Sequence, residues 1–415
     1  MRTFTRFMMV ALMLCPFLTS CNSEGEDLIY DGELIERKDI VLTRSEQEMV
    51  TNSNAFAFNL FEKVRDDLAE GKSFMISPLS VTYALGMLNN GADGQNKEEI
   101  CKVLGTDDVE SMNAFCRKMI DESGKLDPST KLSIANAVEV NQFYKLYEEF
   151  IKVVKANYDA EVENLDFSSP SALKHINDWC ANHTNNLIPT ILESLDPASA
   201  AVLLNAIYFK GIWTNKFDKK DTKKEDFTLS SGKKKVEMMH QKDRFDMGVN
   251  GICQVIRLPY GNKAYSMTIL LPLEGKTTSD IISSIIDEGW YIDLTLFPTF
   301  VDVKLPQFKT ESRFGLERIL PSMGMPSAFD GNTSDFSKFC TTPTFISQVI
   351  HKSFIETNEE GTEAAAVTAT TDIAGWAGPT VVPQVPEFHA DHPFIYIISE
   401  LSTNTIFFIG EYNGE

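Results

Sequence analysis

Basic residues are scarce in this sequence. Its 415 residues include 38 Lys and Arg against 59 Asp and Glu, so the formal net charge is −21. Proteins bind the phosphates of nucleic acids with a basic surface, and this balance therefore argues against a nucleic-acid partner. The shortage is complete at the C-terminal end, where no Lys or Arg follows Lys352. Hydrophobic residues make up 43% of the chain, which is enough for a sizeable core in one large domain.

The common catalytic and disulfide motifs are also missing. The sequence has no Gly-x-Ser-x-Gly and no His-Glu-x-x-His, so we predict that the protein is not an enzyme and needs no cofactor. No Cys-x-x-Cys occurs, and an odd, scattered set of cysteines argues against a disulfide framework or a zinc knuckle. The seven cysteines lie at positions 15, 21, 101, 116, 180, 253 and 340. We expect the last five to be buried free thiols.

The N-terminal region has an apolar run too short to span a membrane. Arg2 and Arg6 precede the apolar residues 7–18, and this pattern predicts a signal peptide over residues 1–20. The sequence Leu18-Thr-Ser-Cys21 resembles a bacterial lipobox, which implies lipidation of Cys21; ordinary signal cleavage is the alternative. Residues 21–50 would then be an acidic tether. The expected location is the bacterial cell envelope, anchored in the outer membrane and exposed at its surface, with secretion as the alternative.

The stretch between Glu356 and Phe394 is the most informative part of the chain. It connects two β-rich runs and shows no helical period over more than thirty residues, so it is either functional or disordered. Residues 361–369 are nearly all small, which suits a crowded sheet. Alternation would place four small residues on one face and the only charge on the other. The first face carries Thr362, Ala364, Ala366 and Thr368; the second carries Glu363, Ala365, Val367 and Ala369.

The sequence from Glu359 to Ala366 resembles the hinge of the serpins, a superfamily of serine protease inhibitors. The resemblance implies an α+β fold, in which a large, mainly antiparallel central sheet and smaller sheets are surrounded by helices. It implies one domain over residues 51–415, with an exposed reactive loop at about 359–388. The implied hinge residues are Glu359, Gly361, Thr362, Glu363, Ala364, Ala365 and Ala366.

A second match covers Ala201 to Trp213. Its first half is an apolar run, typical of a strand buried on both faces, and Asn205 interrupts it, so polar partners are expected there. The run resembles the serpin Asn-Ala-Ile-Tyr-Phe-Lys-Gly-x-Trp signature. By this resemblance Trp213 matches the breach position at the top of a gap in the sheet. The shutter, a polar cluster under that gap, would consist of Ser77, Ser80, Asn205 and His351.

The resemblance also implies a mechanism and a partner. A target endopeptidase cleaves the loop and is acylated, and the hinge then enters the central sheet and traps the enzyme; the intact protein is therefore metastable and is expected to be a monomer. Counting from Gly361 places the reactive bond at Gly375-Trp376 or Trp376-Ala377, with a bond near Val381 as a further candidate. The missing Lys and Arg disfavour trypsin-like enzymes and favour elastase-, subtilisin- or chymotrypsin-like targets; a cysteine protease stays open. The alternative is a non-inhibitory serpin that acts as a binding module.

Other segments give expectations that the structure can test. Apolar spacing predicts helices over Asn52 to Gly71, Phe143 to Tyr158 and Arg313 to Leu320. Asp372 is an even number of residues from Thr362, so in an inserted strand it would point to the same face of the sheet. It should therefore lie at the solvent-exposed end of the sheet or limit insertion. The segment His389-Ala-Asp-His has a spacing that metal ligands use. The family places a similar sequence at a strand start, so we predict no metal site.

Overall fold

The computed structural model describes residues 36–106, 109–289, 295–362 and 385–414. The predicted signal peptide, Cys21, the hinge residues 363–366, Asp372 and the candidate reactive bond at 375–377 lie outside these residues. None of the described helices has the length and apolarity that crossing a bilayer requires.

Helices and strands alternate irregularly along the described chain. The helices are α1 (Arg44–Asp67), α2 (Pro78–Asn89), α3 (Gly94–Leu104), α4 (Val109–Glu122), α5 (Glu148–Tyr158), α6 (Pro170–His183), α7 (Thr278–Glu288) and α8 (Ile319–Met323). The strands are β1 (Phe74–Ile76), β2 (Lys131–Asn141), β3 (Glu161–Leu165), β4 (Ala201–Ile212), β5 (Lys223–Leu229), β6 (Gly232–Val249), β7 (Cys253–Tyr260), β8 (Tyr265–Pro272), β9 (Phe297–Pro306), β10 (Phe308–Gly315), β11 (Ile350–Asn358), β12 (Gly361–Thr362), β13 (Glu387–His389), β14 (Phe394–Glu400) and β15 (Ile406–Tyr412).

The described strands form two mainly antiparallel sheets. A nine-stranded sheet has the order β1-β15-β14-β8-β7-β6-β9-β13, with β5 paired to β6. A six-stranded sheet has the order β10-β11-β12-β4-β2-β3, in which only β2 and β3 pair in parallel. The six-stranded sheet contains the hinge strand β12, whereas β13 and β14, which come later in the chain, belong to the nine-stranded sheet. This arrangement confirms the predicted α+β class.

Helix α1 begins earlier than we predicted. Thr43 caps it: its side chain accepts a hydrogen bond from the Glu46 amide, and the Glu46 carboxylate accepts one from the Thr43 amide. This capping box precedes Met49 and Val50, which are buried. The predicted start at Asn52 is therefore wrong, and the end of the predicted tether is helical and packed on the domain.

Two other helix predictions need correction. Helix α5 begins at Glu148 and not at Phe143, whose side chain is 76% exposed. The predicted helix over Arg313 to Leu320 is wrong, because β10 extends to Gly315 and pairs with β11 along its length. Buried and exposed residues alternate along β10, but the buried positions include the polar residues Thr310 and Ser312. The sequence therefore lacks the alternation of apolar and polar residues that would have indicated a strand.

The expectation of buried free thiols is confirmed. The five described cysteines are all buried and form no disulfide with one another. Burial raises the pKa of the Cys180 thiol to about 12 and that of Cys253 to about 11, which leaves both protonated and inert at neutral pH. These cysteines therefore contribute apolar volume to the core rather than reactivity.

Candidate functional site

Among the described strands, the six-stranded sheet has a gap between β4 and β11. Strand β12 pairs with β11 on one side and with β4 on the other, but only through Gly361 and Thr362. Thr362 lies opposite Thr357 of β11 and Gly211 of β4. In the described part of the chain no strand lies between residues 201–210 of β4 and residues 350–356 of β11, and we call this space the slot.

A cavity of about 420 Å³ lies at the end of the slot opposite β12. The first residues of both strands line it, and so do residues along α2 from Ser80 to Leu88. Ser80, Asn205 and His351 all contribute to the lining, so the fold brings three of the four predicted shutter residues to one surface.

The fourth shutter residue, Ser77, contacts this group through its backbone. Its amide donates a hydrogen bond to Nε2 of His351 at 3.0 Å, and its hydroxyl donates to the carbonyl oxygen of Phe407 at 2.8 Å. Ser77 is also the N-cap of α2, because its hydroxyl accepts a hydrogen bond from the Ser80 amide. An Nε2 that accepts is unprotonated, which agrees with the burial-driven fall of the His351 pKa to about 4.

Asn205 is held on the opposite wall of the slot. Its side-chain amide donates to Oδ1 of Asn136 on β2 at 2.8 Å, and Asn136 in turn donates to the carbonyl oxygen of Tyr158 at 2.7 Å. Polar partners were expected for Asn205, and Asn136 is the partner that the sequence did not reveal. In the described part of the chain, the buried Oδ1 of Asn205 has no hydrogen-bond partner. Buried polar atoms normally have a hydrogen-bond partner, so this oxygen can accept a hydrogen bond from a donor that enters the slot.

Trp213, which we predicted as the breach residue, lies next to β12 at the closed end of the slot. Its indole stacks on the Tyr260 ring with centroids 4.4 Å apart, and its Nε1 donates to the carbonyl oxygen of Asn358 at 2.9 Å. The hydroxyl groups of Tyr260 and Thr362 are 2.7 Å apart. The aromatic pair thus fixes the turn between β11 and β12 and marks the point where the hinge enters the sheet.

Two buried glutamates hold the same turn. Glu360 is 5% exposed, and its Oε2 lies 2.8 Å from Nζ of Lys216. Glu359, also 5% exposed, accepts hydrogen bonds from the Thr222 hydroxyl at 2.6 Å and from the Gln307 side chain at 2.7 Å. Buried carboxylates need such partners, so this polar latch positions the start of β12.

Only glycine fits at position 361. Its φ is +150°, a conformation that side chains rarely adopt, and a Cβ there would lie 2.0 Å from the carbonyl oxygen of Gly211. The contact is with the backbone of β4, which cannot move without breaking the sheet. Gly361 therefore permits β12 to lie close enough to β4 for pairing.

A comparison with protein families identifies the class. A family model described as "Serpin (serine protease inhibitor)" matches residues 51–414, so the chain belongs to the serpin family. Leukocyte elastase inhibitor of Xenopus laevis is 35% identical over 376 residues, which cover 86% of this chain and 97% of that protein. Serpin B6 of Pongo abelii is 34% identical and covers 87% of this chain and 98% of its own length.

Solved serpin structures agree with this assignment. The thermophilic serpin tengpin in its native state superimposes with a TM-score of 0.81 at 28% identity, covering 92% of this chain and 98% of tengpin. Human thyroxine-binding globulin gives a TM-score of 0.79 at 28% identity, covering 88% and 98%. These likenesses confirm the predicted family and fold.

Proposed function

We propose that this protein is a suicide-substrate inhibitor whose cleaved loop inserts into the slot. The observation that supports this most directly is β12, which already lies between β4 and β11 and points toward the cavity. A target endopeptidase would attack the reactive bond, form an acyl ester with the residue before it and release the new amino terminus. Extension of β12 along the slot would then carry the acylated enzyme away before hydrolysis.

The register of β12 fixes where each inserted residue would lie. If the pairing of Thr362 with Thr357 and Gly211 continues, Ala366 lies between Ser353 and Ile207. Residues 351, 353, 355 and 357 of β11 are all buried, so positions of the same parity as Thr362 face the core. This supports the predicted set of small inward residues.

The same register gives Asn205 a partner. If it continues, it would bring Thr368 between Asn205 and His351, where the Thr368 hydroxyl could donate to the unpartnered Oδ1 of Asn205. Asp372 would lie opposite Ala201 and Ser347, both of which are accessible to solvent. Its charge would therefore stay hydrated and would not stop insertion.

The energy of insertion is large on the scale of protein stability. About a dozen new backbone hydrogen bonds, at ~1 kcal/mol net each, contribute on the order of 10 kcal/mol. This is comparable to the whole folding free energy of a domain. The intact protein would therefore be kinetically trapped, and cleavage would release it.

We further propose that the target is an elastase-, subtilisin- or chymotrypsin-like protease. The loop has no Lys or Arg, so a trypsin-like enzyme finds no basic residue before any bond. Gly375-Trp376 and Trp376-Ala377 are the candidate bonds. The name of the similar leukocyte elastase inhibitors agrees with this choice.

Incubation with elastase, chymotrypsin and trypsin tests the proposal. We expect an SDS-stable complex with elastase or chymotrypsin, loss of their activity near one-to-one stoichiometry, and no complex with trypsin. Mass spectrometry of the released C-terminal peptide identifies the bond. Complete loop cleavage with fully active protease would exclude inhibition by trapping.

The competing function is a binding module without inhibition. Human thyroxine-binding globulin, a binding protein by name, shares the fold. The two functions differ in the response to loop cleavage, because only an inserting protein gains a new central strand. A melting temperature that rises sharply on cleavage supports inhibition, whereas an unchanged one supports the binding module.

We also propose that the protein is lipid-anchored through Cys21 in a bacterial envelope. The basic start, the short apolar run and Leu18-Thr-Ser-Cys21 support this. Metabolic labelling with a radioactive fatty acid should mark the wild-type protein and not the Cys21→Ala variant. Labelling of neither would favour ordinary signal cleavage and secretion.

A further inference from the structure

Three ionisable side chains from three separate elements meet at one edge of the six-stranded sheet. Glu139 lies on β2, Glu163 on the edge strand β3, and His175 on α6, which covers this face. One ligand atom from each lies within 4.8 Å of the other two. The proposed inhibitory mechanism does not use any of these groups.

The sheet forces the two carboxylates together. Glu139 and Glu163 are direct neighbours in the parallel pairing of β2 with β3, and adjacent like charges destabilise a sheet. The Glu139 side chain is only 1% exposed, because it points to the side on which α6 packs. Ala137, two residues earlier on β2, belongs to the apolar cluster under the same helix.

Within the described residues this group lacks the partners that a buried carboxylate requires. Both carboxylate oxygens of Glu139 and Nε2 of His175 are buried without a hydrogen bond, and neither glutamate forms an ion pair with Lys or Arg. An isolated carboxylate in this position is costly, and a bound cation would remove that cost.

A protonated His175 does not satisfy the geometry well. Its Nε2 lies 3.3 Å from the nearer oxygen of Glu163 and 3.6 Å from Glu139. Charge-assisted N–H···O bonds are shorter, about 2.7–2.9 Å. Tetrahedral zinc with bonds of ~2.0 Å instead separates its ligand atoms by about 3.3 Å, which is close to both distances.

We propose that Glu139, Glu163 and His175 bind a Zn²⁺ ion. One imidazole and two carboxylates supply three ligands, and the exposed sides of His175 (40%) and Glu163 (49%) leave a path for entry and for a water as the fourth ligand. An imidazole ligand favours zinc over Ca²⁺ and Mg²⁺, which prefer all-oxygen sites. These three ligands are adjacent only through the register of β2 with β3 and the position of α6, so no sequence motif indicates this site.

Isothermal titration of the untagged, chelator-treated full chain with ZnCl₂ tests the proposal. We expect one site per chain and a rise in melting temperature with zinc, since a ligand that binds only the folded state stabilises it. Glu139→Gln, Glu163→Gln and His175→Asn should each weaken zinc binding by at least about tenfold, the loss seen even for residues that only support metal ligands.

The chain offers a matched control on the same two elements. His183 of α6 lies 3.7 Å from Glu161 of β3, but no third ligand joins them in the part of the chain that the structure describes, so His183→Asn should leave zinc binding unchanged. His392→Asn is a control for zinc binding at the segment His389-Ala-Asp-His392. Zinc binding that survives all three ligand substitutions, binding of Ca²⁺ in preference to Zn²⁺, or no binding at all would each overturn the proposal.

Discussion

The backbone amide of Ser77 donates a hydrogen bond to Nε2 of His351, and this bond joins the start of α2 to the strand that forms one wall of the slot. The imidazole can accept this bond only while Nε2 is unprotonated. It is also fully buried, so a charged ring would lose both its hydration and its partner.

Acid should therefore weaken the intact protein through His351. Its pKa is about 4 in the folded protein, against 6.5 for an ordinary histidine. Between these values the unfolded chain binds the proton and the folded chain does not, so stability falls as pH decreases from about 6.5 to about 4. The full effect is about 3 kcal/mol. The measurement is the melting temperature across this range for wild type and His351→Gln.

The expected result is a smaller acid-induced fall in His351→Gln than in wild type. Comparing the two proteins removes the contribution of carboxylates, which both share. His183→Asn, a change on the outer helix α6, should keep the wild-type slope. Equal slopes for wild type and His351→Gln would show that this imidazole is not the acid-sensitive group.

The ion pair of Glu360 with Lys216 gives a second prediction. Among the described basic residues, Lys216→Met leaves the buried Glu360 carboxylate with the more distant Lys219, whose Nζ is 3.8 Å away. Lys216 is 35% exposed, so the loss should be modest, about 1–2 kcal/mol of unfolding free energy. Lys220→Met is the matched control, because Lys220 pairs with Asp218 at the surface and should change stability little. Thermal unfolding of the three proteins measures the difference, and equal losses would contradict a specific role for the latch.

Sequence motifs predicted single residues of the site better than their partners. His351 and Asn205 were predicted from short motifs, but the Ser77 amide that His351 accepts from is a backbone group and has no sequence signal. Asn136 was missed because it is one polar residue in a long strand, and only the pairing of β2 with β4 places it opposite Asn205. Glu139 was missed for the same reason, since its neighbours depend on register.

Gly361→Ala tests the close approach of β12 to β4. The new Cβ would lie 2.0 Å from the Gly211 carbonyl oxygen, so β12 must leave the sheet, and we expect a loss of at least about 1 kcal/mol in stability. Gly232 has a similar φ of +136° but nothing within 4 Å of its hypothetical Cβ. Gly232→Ala therefore measures the backbone strain alone, and the contact accounts for whatever extra destabilisation Gly361→Ala shows. Equal melting temperatures for the two variants would argue against the pairing.

The alternation of inward- and outward-facing residues along the hinge gives the sharpest test of insertion. In the register of β12, Ala366 would face the core beside Ser353, whereas Ala365 would face outward beside Phe354, which is only partly buried. Ala366→Glu must therefore bury a charge without a partner during insertion, and Ala365→Glu need not. We expect the protease to cleave the Ala366→Glu variant mainly as a substrate, so that at least about tenfold more inhibitor is consumed per protease inactivated. The reason is that a burial penalty above ~1.4 kcal/mol corresponds to a tenfold effect. Ala365→Glu should stay close to wild type in the same elastase titration. Equal behaviour of the two variants, or the opposite order, would show that the loop enters in another register or does not enter at all.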